Sequence, residues 1–271
     1  MPIYLRLALY AILAYAAVCL LAWIFQRKLQ YFPDRGPVPM PRGETYRELE
    51  DVRIETEDGV EIAAWYWPGL RPTTLLFFHG NAGHRGHRLG WVQTFHDLGW
   101  SILLIDYRGY AESGGNPTEE GLAMDARAAR AWLADRGVMR VAYVGESIGC
   151  SVAVGLAFTE PPAALVLQSG TVSVRAVAQR HYPFLPVGLL MSDGFESKEK
   201  MGGIDAPLLS IHGARDRIIP VEFGRALFDA APGETKEWWL LEQAGHNDVI
   251  YHAGRAYYER VHEFLERATT E

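Results

Sequence analysis

With 271 residues, 49% of them hydrophobic and 22% charged, the chain is long enough for one large α/β domain or two small ones, and no composition shift after residue 45 calls for two. A formal net charge of -7, an isoelectric point near 5.7 and the lack of any basic cluster exclude a nucleic-acid partner. Only two cysteines occur, Cys19 and Cys150, so a disulfide framework is excluded as well.

The first element is apolar. Leu7 to Phe25 carries no charge, and about 20 such residues span a bilayer core as a helix. Arg6 flanks one end and Gln26-Arg27-Lys28 the other, with Tyr4, Trp23, Tyr31 and Phe32 placed as interfacial anchors. Ala14, Ala16 and Ala17 would suit a cleaved signal peptide, but the apolar run continues through Phe25, which favours an uncleaved anchor over residues 1–28. Bulky Val18 before Cys19 disfavours a lipoprotein. Arg27, Lys28, Arg35, Arg42 and Arg47 outnumber Arg6 and the amino terminus, so the positive-inside rule places the large domain on the cytoplasmic side. Residues 29–44 include four prolines and predict an extended spacer that lifts a catalytic domain, residues 45–271, off the membrane.

Beyond the spacer, Leu49 to Glu55 and Val60 to Trp67 flank Glu57-Asp58-Gly59, a hairpin signal. Continuous short apolar runs follow at Thr73 to Phe78, Ser101 to Asp106, Val141 to Val144, Ala163 to Leu167, Pro207 to Ile211 and Glu237 to Leu241; such runs predict buried parallel strands. Helical periodicity lies between them, most clearly over Glu119 to Arg136, and again near Val221 to Ala230 and Ala253 to Ala268. Alternation after a hairpin predicts an α/β fold: a mostly parallel twisted sheet with an antiparallel N-terminal hairpin, helices on both faces, and a site at the carboxyl ends of the strands.

Gly145-Glu146-Ser147-Ile148-Gly149 sits between the apolar run Val141 to Val144 and a small-residue stretch, which is the strand-turn-helix setting of a nucleophile elbow. A serine hydroxyl needs a base, and His246 follows the last strand. An acid that orients the imidazole is expected at Asp216, after the strand before it. Asp193 and Asp205 precede that strand and Asp248 follows the histidine too closely. The order Ser, Asp, His is that of α/β-hydrolases.

These motifs carry a resemblance. With Gln26 to Pro33, His79-Gly80-Asn81-Ala82-Gly83, Asp106-Tyr107-Arg108-Gly109-Tyr110, His212-Gly213-Ala214-Arg215-Asp216 and Gly245-His246-Asn247-Asp248, the chain resembles the α/β-hydrolase-fold serine hydrolases. In particular it is similar to the single-pass membrane-anchored α/β-hydrolase-domain proteins, a group that includes protein depalmitoylases. It departs from their pattern at His84, where Asn is usual, and at Ala111, where Gly is usual. By position, backbone N–H groups of Ile148 and Asn81, with Ala82 as the alternative to Asn81, are expected to hold an oxyanion. The resemblance implies that His79 and the Asp106 to Tyr110 segment shape loops. Ala82, Tyr107, Tyr110, Tyr182 and Phe184 are candidates for the substrate pocket. The stretch His181 to Phe195 either packs on the sheet or lines an apolar acyl pocket.

The expected function is a membrane-anchored serine hydrolase that cleaves carboxylic esters or thioesters through an acyl-enzyme, with no metal and no organic cofactor. Its substrates would be small-molecule, lipid or acyl esters, or an acylated protein. A serine aminopeptidase of the same fold and a catalytically silent membrane-tethered scaffold are the alternatives. Activity is expected to rise with pH as a histidine loses its proton, about 6.5 in an ordinary peptide.

Overall fold

Alternation along the central strands sends Leu75 and Phe77 to one side of the sheet and Leu76 and Phe78 to the other, so both faces need cover. A computed structural model describes residues 1–269; Thr270 and Glu271, the end of the expected catalytic domain, lie outside the described residues. In chain order the elements are α1 (Ile3–Gln30), β1 (Phe32–Pro33), β2 (Glu50–Glu55), β3 (Glu61–Trp67), β4 (Thr73–Phe78), β5 (Ala82–Gly83), α2 (Leu89–Asp97), β6 (Ser101–Ile105), α3 (Glu119–Asp135), β7 (Arg140–Glu146) and α4 (Ile148–Thr159). They continue with β8 (Ala164–Gln168), α5 (Val174–His181), α6 (Val187–Leu190), α7 (Ser197–Met201), β9 (Leu208–Gly213), α8 (Val221–Ala230), β10 (Lys236–Leu241), α9 (Val249–Ala253) and α10 (Arg255–Thr269).

The main sheet has the order β10-β9-β8-β7-β4-β6-β3-β2. Strands β10 through β6 run parallel, and β3 and β2 add the antiparallel edge expected from the Asp58-Gly59 turn. Leu122, Ala126, Ala129 and Leu133 of α3 share a buried stripe on one face with α4 and α8. Trp91 and Phe95 of α2 and Val261, Phe264 and Leu265 of α10 cover the other. The mostly parallel sheet with helices on both faces expected from the alternation is the one observed, and it is the α/β-hydrolase architecture that the resemblance implied. It puts the carboxyl ends of β7, β9 and β10 on one edge of the sheet, with β8 between β7 and β9.

Helix α1 is long and apolar enough to cross a membrane, at about 42 Å by the rise of an α-helix. The segment after this helix is not the free spacer expected for residues 29–44. Gln30, Tyr31 and Val38 are buried, β1 pairs in parallel with β5, and Arg35 bridges to Ala111. The Val38 N–H donates to the Glu112 carboxylate at 2.5 Å. The proline-rich segment is a strap along the domain, because its apolar side chains find cover there and several of its N–H groups find acceptors.

Glu112 also joins a buried charge cluster. The side chains of Arg85 and Asp106 have no solvent exposure, and the Arg85 guanidinium bonds both Asp106 and Glu112. Burial by itself would raise the Glu112 carboxyl, but hydrogen bonds from Arg85 and the Val38 N–H outweigh it and hold the group at about 2. A value depressed on folding gives stability that is complete above the unfolded value, about 4.3, and is lost as pH falls toward the folded one. The melting temperature in detergent should therefore drop as pH is lowered from about 5 to about 2.5, and Glu112→Gln should flatten part of that drop in a fluorimetric melt.

Candidate active site

Ser147 joins β7 to α4 with φ 54° and ψ -118°, a positive-φ conformation that a serine holds only where its surroundings enforce it. Its N–H is fixed by the Gln168 carbonyl at 2.9 Å. The flanking glycines are steric requirements. A Cβ on Gly145 would lie 2.6 Å from the Cys150 Cα, and one on Gly149 would overlap the Phe78 carbonyl. Cys150, three residues on, is buried and donates to the carbonyls of Gly145 and Gln168. Burial pushes its thiol well above the ordinary range, so it is no competing thiolate.

His246, on the loop after β10, has its Nε2 3.0 Å from the Ser147 Oγ and its Nδ1 2.6 Å from Asp216 Oδ2. The other Asp216 oxygen accepts the N–H groups of Ile218 and Ile219, both at 2.8 Å, which locks the carboxylate toward the imidazole. His212, on β9, lies 3.4 Å from Asp216 Oδ2 and 3.0 Å from the Ile219 carbonyl. Burial would raise the Asp216 carboxyl. Hydrogen bonds from His212 and His246, the His246 charge and the Ile219 N–H overcome that and hold it well below the usual carboxylate range. The three other aspartates stand apart from the imidazole: Asp193 pairs with Arg27, Asp248 accepts the Gly245 N–H, and Asp205 is exposed.

Asn81 and Ile148 both border the cavity that reaches Ser147. The Ile148 N–H opens α4 ahead of any intrahelical acceptor, where the helix end favours negative charge. The Asn81 loop is held from behind. Its carbonyl accepts the Phe32 N–H at 2.9 Å and the Tyr110 hydroxyl at 2.8 Å, while its side chain donates to the Gln30 carbonyl at 3.0 Å. The Tyr107 hydroxyl donates to the His79 carbonyl, and the buried His79 ring bonds the Gly80 carbonyl. Glu146 accepts from the Gly80 N–H and from Arg88, which ties the elbow to the same loop.

Four of the five expected pocket residues therefore need correcting, Phe184 and three that belong to this loop and its supports. Tyr107 and Tyr110 are fully buried behind the loop, and Ala82 pairs with Phe32 in β5; none of them borders the cavity. Their hydroxyl and backbone groups are used to position the loop. Tyr110→Phe should lower kcat about fivefold with little change in KM, the worth of one neutral hydrogen bond, as steady-state assays with a soluble ester would read.

The cavity has a volume of about 240 Å³ and a largely apolar wall. Val177, Tyr182, Leu185 and Leu190, on or beside α5 and α6, form one side, so part of the His181 to Phe195 stretch lines the pocket. Phe184 lies outside it and exposed, and Phe195 belongs to the core. The opposite side is made by Ala22, Gln26, Leu29 and Gln30 of α1. Sequence reasoning placed none of these four in the site, since they read as anchor and spacer more than 115 positions before Ser147. The arrangement offers a hydroxyl, a base that can take its proton, donors for a developing negative charge, and an apolar slot for one part of a substrate.

No protein-family model matches the chain. Among curated proteins it is 42% identical over 261 residues to an uncharacterised protein of Mycobacterium tuberculosis, covering 92% of this chain and 90% of that one. Mouse ABHD12, named a lysophosphatidylserine lipase, is 33% identical over 267 residues, covering 83% of this chain and 66% of that protein. Protein bem46 of Schizosaccharomyces pombe is 29% identical over 279 residues, with 94% and 92% covered. A solved Pyrococcus furiosus esterase superimposes with a TM-score of 0.74 at 25% identity over 87% of this chain and 98% of that one. The shared fold, the motif loops around Ser147 and these extensive similarities converge: the chain belongs to the α/β-hydrolase-domain proteins, the family of bem46 and ABHD12.

Proposed function

We propose that the protein is a membrane-anchored serine hydrolase acting on acyl esters or thioesters of lipid character. The observation that carries this reading is the chain of hydrogen bonds Ser147–His246–Asp216 on a strained elbow, opening into an apolar cavity. Ser147 Oγ attacks the acyl carbonyl carbon as His246 Nε2 takes its proton. The oxyanion rests on the N–H groups of Ile148 and Asn81. His246 returns the proton to the departing alcohol or thiol, leaving the acyl group on Ser147. A water, deprotonated by the same imidazole, releases the carboxylic acid and regenerates the serine.

In this reading residues 1–28 are the anchor and residues 45–271 the catalytic unit, and the excess of Lys and Arg between Arg27 and Arg47 over Arg6 favours the cytoplasmic face for that unit. Lipase and esterase names among the relatives support ester chemistry over a silent scaffold. Among the described residues the cavity wall carries no carboxylate to hold a substrate amine, which favours ester cleavage over aminopeptidase activity.

Fluorophosphonate labelling of the membrane fraction tests the reading. Wild type should label and Ser147→Ala should not, and acyl esters or thioesters should compete more strongly than aminoacyl anilides. Folded wild-type protein that resists the probe would point to the scaffold.

A further inference from the structure

The chemistry at Ser147 requires β7, β9, β10 and the Asn81 loop, but the cavity beside it needs something else: the end of α1. Ala22, Gln26 and Leu29 recur at helical spacing and present one stripe to the cavity. The helix is latched there. Arg27, Gln30 and Tyr31 all bond Asp193, at 3.2, 3.2 and 3.1 Å, and Gln26 accepts the Ser192 N–H at 2.7 Å. Farther up, the Tyr15 hydroxyl donates to the Phe184 carbonyl at 2.8 Å, so the α5–α6 segment runs back along the apolar helix for roughly 16 Å beyond Gln26.

That segment exposes Phe184 at 63% and Leu189 at 88%. Side chains of this kind beside a spanning helix are covered by lipid, and a phenol at that depth needs the partner that Phe184 supplies. The uncharged run ends at Phe25, so the cavity starts where hydrocarbon gives way to headgroups and leads inward to Ser147. An acyl chain lying in the leaflet meets this mouth with its ester at headgroup level.

We propose that the terminal turns of α1 are the chain-selecting wall of an acyl subsite, and that its occupant is the long linear chain of an ester lipid already resident in the leaflet. This rests on the proposed roles of α1 as anchor and Ser147 as nucleophile. The helix then has two tasks, tethering the domain and measuring the substrate.

The test uses the full chain in phospholipid nanodiscs and compares labelling rates with a methyl and a hexadecyl fluorophosphonate. Wild type should favour the long probe. Ala22→Trp, which fills the slot, should lower the long-to-short ratio at least tenfold, since even two displaced methylenes carry about that factor. Ala22→Leu should lower it by a smaller step and covers the case in which the larger side chain prevents folding. Leu20→Trp, about 200° around the helix and outside the cavity wall, should leave the ratio within twofold. Labelling by both probes with an unaltered ratio in the Ala22 variants, or an equal fall in Leu20→Trp, overturns this inference alone. Wild type that reacts with neither probe overturns the Ser147 reading, and this inference with it.

Discussion

Ser147→Ala should lower acyl-ester turnover by about 10⁴-fold or more, with His246→Ala equally damaging and Asp216→Asn somewhat less so. The reason is geometric. A hydroxyl becomes a useful nucleophile only where a base takes its proton in the same step, and the Ser147 Oγ has the His246 Nε2 at 3.0 Å for that purpose. The imidazole in turn is held by Asp216 at 2.6 Å in the tautomer that leaves Nε2 free. Because the three act as one unit, the double variant Ser147→Ala/His246→Ala should be no slower than either single variant, and any residual rate comes from binding and the oxyanion donors. Steady-state kinetics with a p-nitrophenyl ester reads these losses, and circular dichroism shows whether the variants fold. Near wild-type turnover in Ser147→Ala refutes the assignment.

The same geometry sets the pH dependence. Asp216 is held well below the usual carboxylate range and stays ionised above about pH 4, so it contributes no step in the working range. A carboxylate that stays charged adds no limb of its own, so an acid limb in the kcat/KM profile reports a base other than Asp216.

The largest expected loss of stability is at Arg85. Arg85→Met should destabilise the fold by about 3–5 kcal/mol, since it strands Asp106, also fully buried, without its cation. Met keeps much of the volume over the Trp65 ring, where the guanidinium now stacks at 4.9 Å, so the loss reports charge more than packing. For a domain of this size that is about 10 °C in melting temperature. Arg85→Met/Asp106→Leu should recover a good part of it, because replacing both members of a buried pair removes the stranded charge; thermal melts in detergent compare the two. Activity should fall in the single variant as well. The Arg85 N–H and guanidinium both grip Asp106 just past the loop that carries Asn81, so that loop loosens with them. A melting temperature within about 2 °C of wild type for Arg85→Met would show that the cluster is not what holds this region.

By itself the sequence determined the fold class and singled out the candidate positions for chemistry, because both are local demands on the backbone. Continuous apolar runs at Thr73 to Phe78 and Ser101 to Asp106 have few alternatives to buried strands. A serine between two glycines after a strand marks a turn that few other residue patterns can make, and His246 and Asp216 were legible as residues at the ends of later strands. Tertiary structure alone decided which way the side chains near that turn face. Tyr107 and Tyr110 were expected in the pocket and instead brace the Asn81 loop from behind. Residues 29–44 were expected to stand clear and instead lie along the domain. The cavity wall from α1 depends on contacts such as Arg27 with Asp193 and Tyr15 with Phe184, which are 166 and 169 positions apart. No helical or strand period reaches across such distances. Residues that far apart meet only once the two faces of the sheet have been covered and the chain between them has condensed.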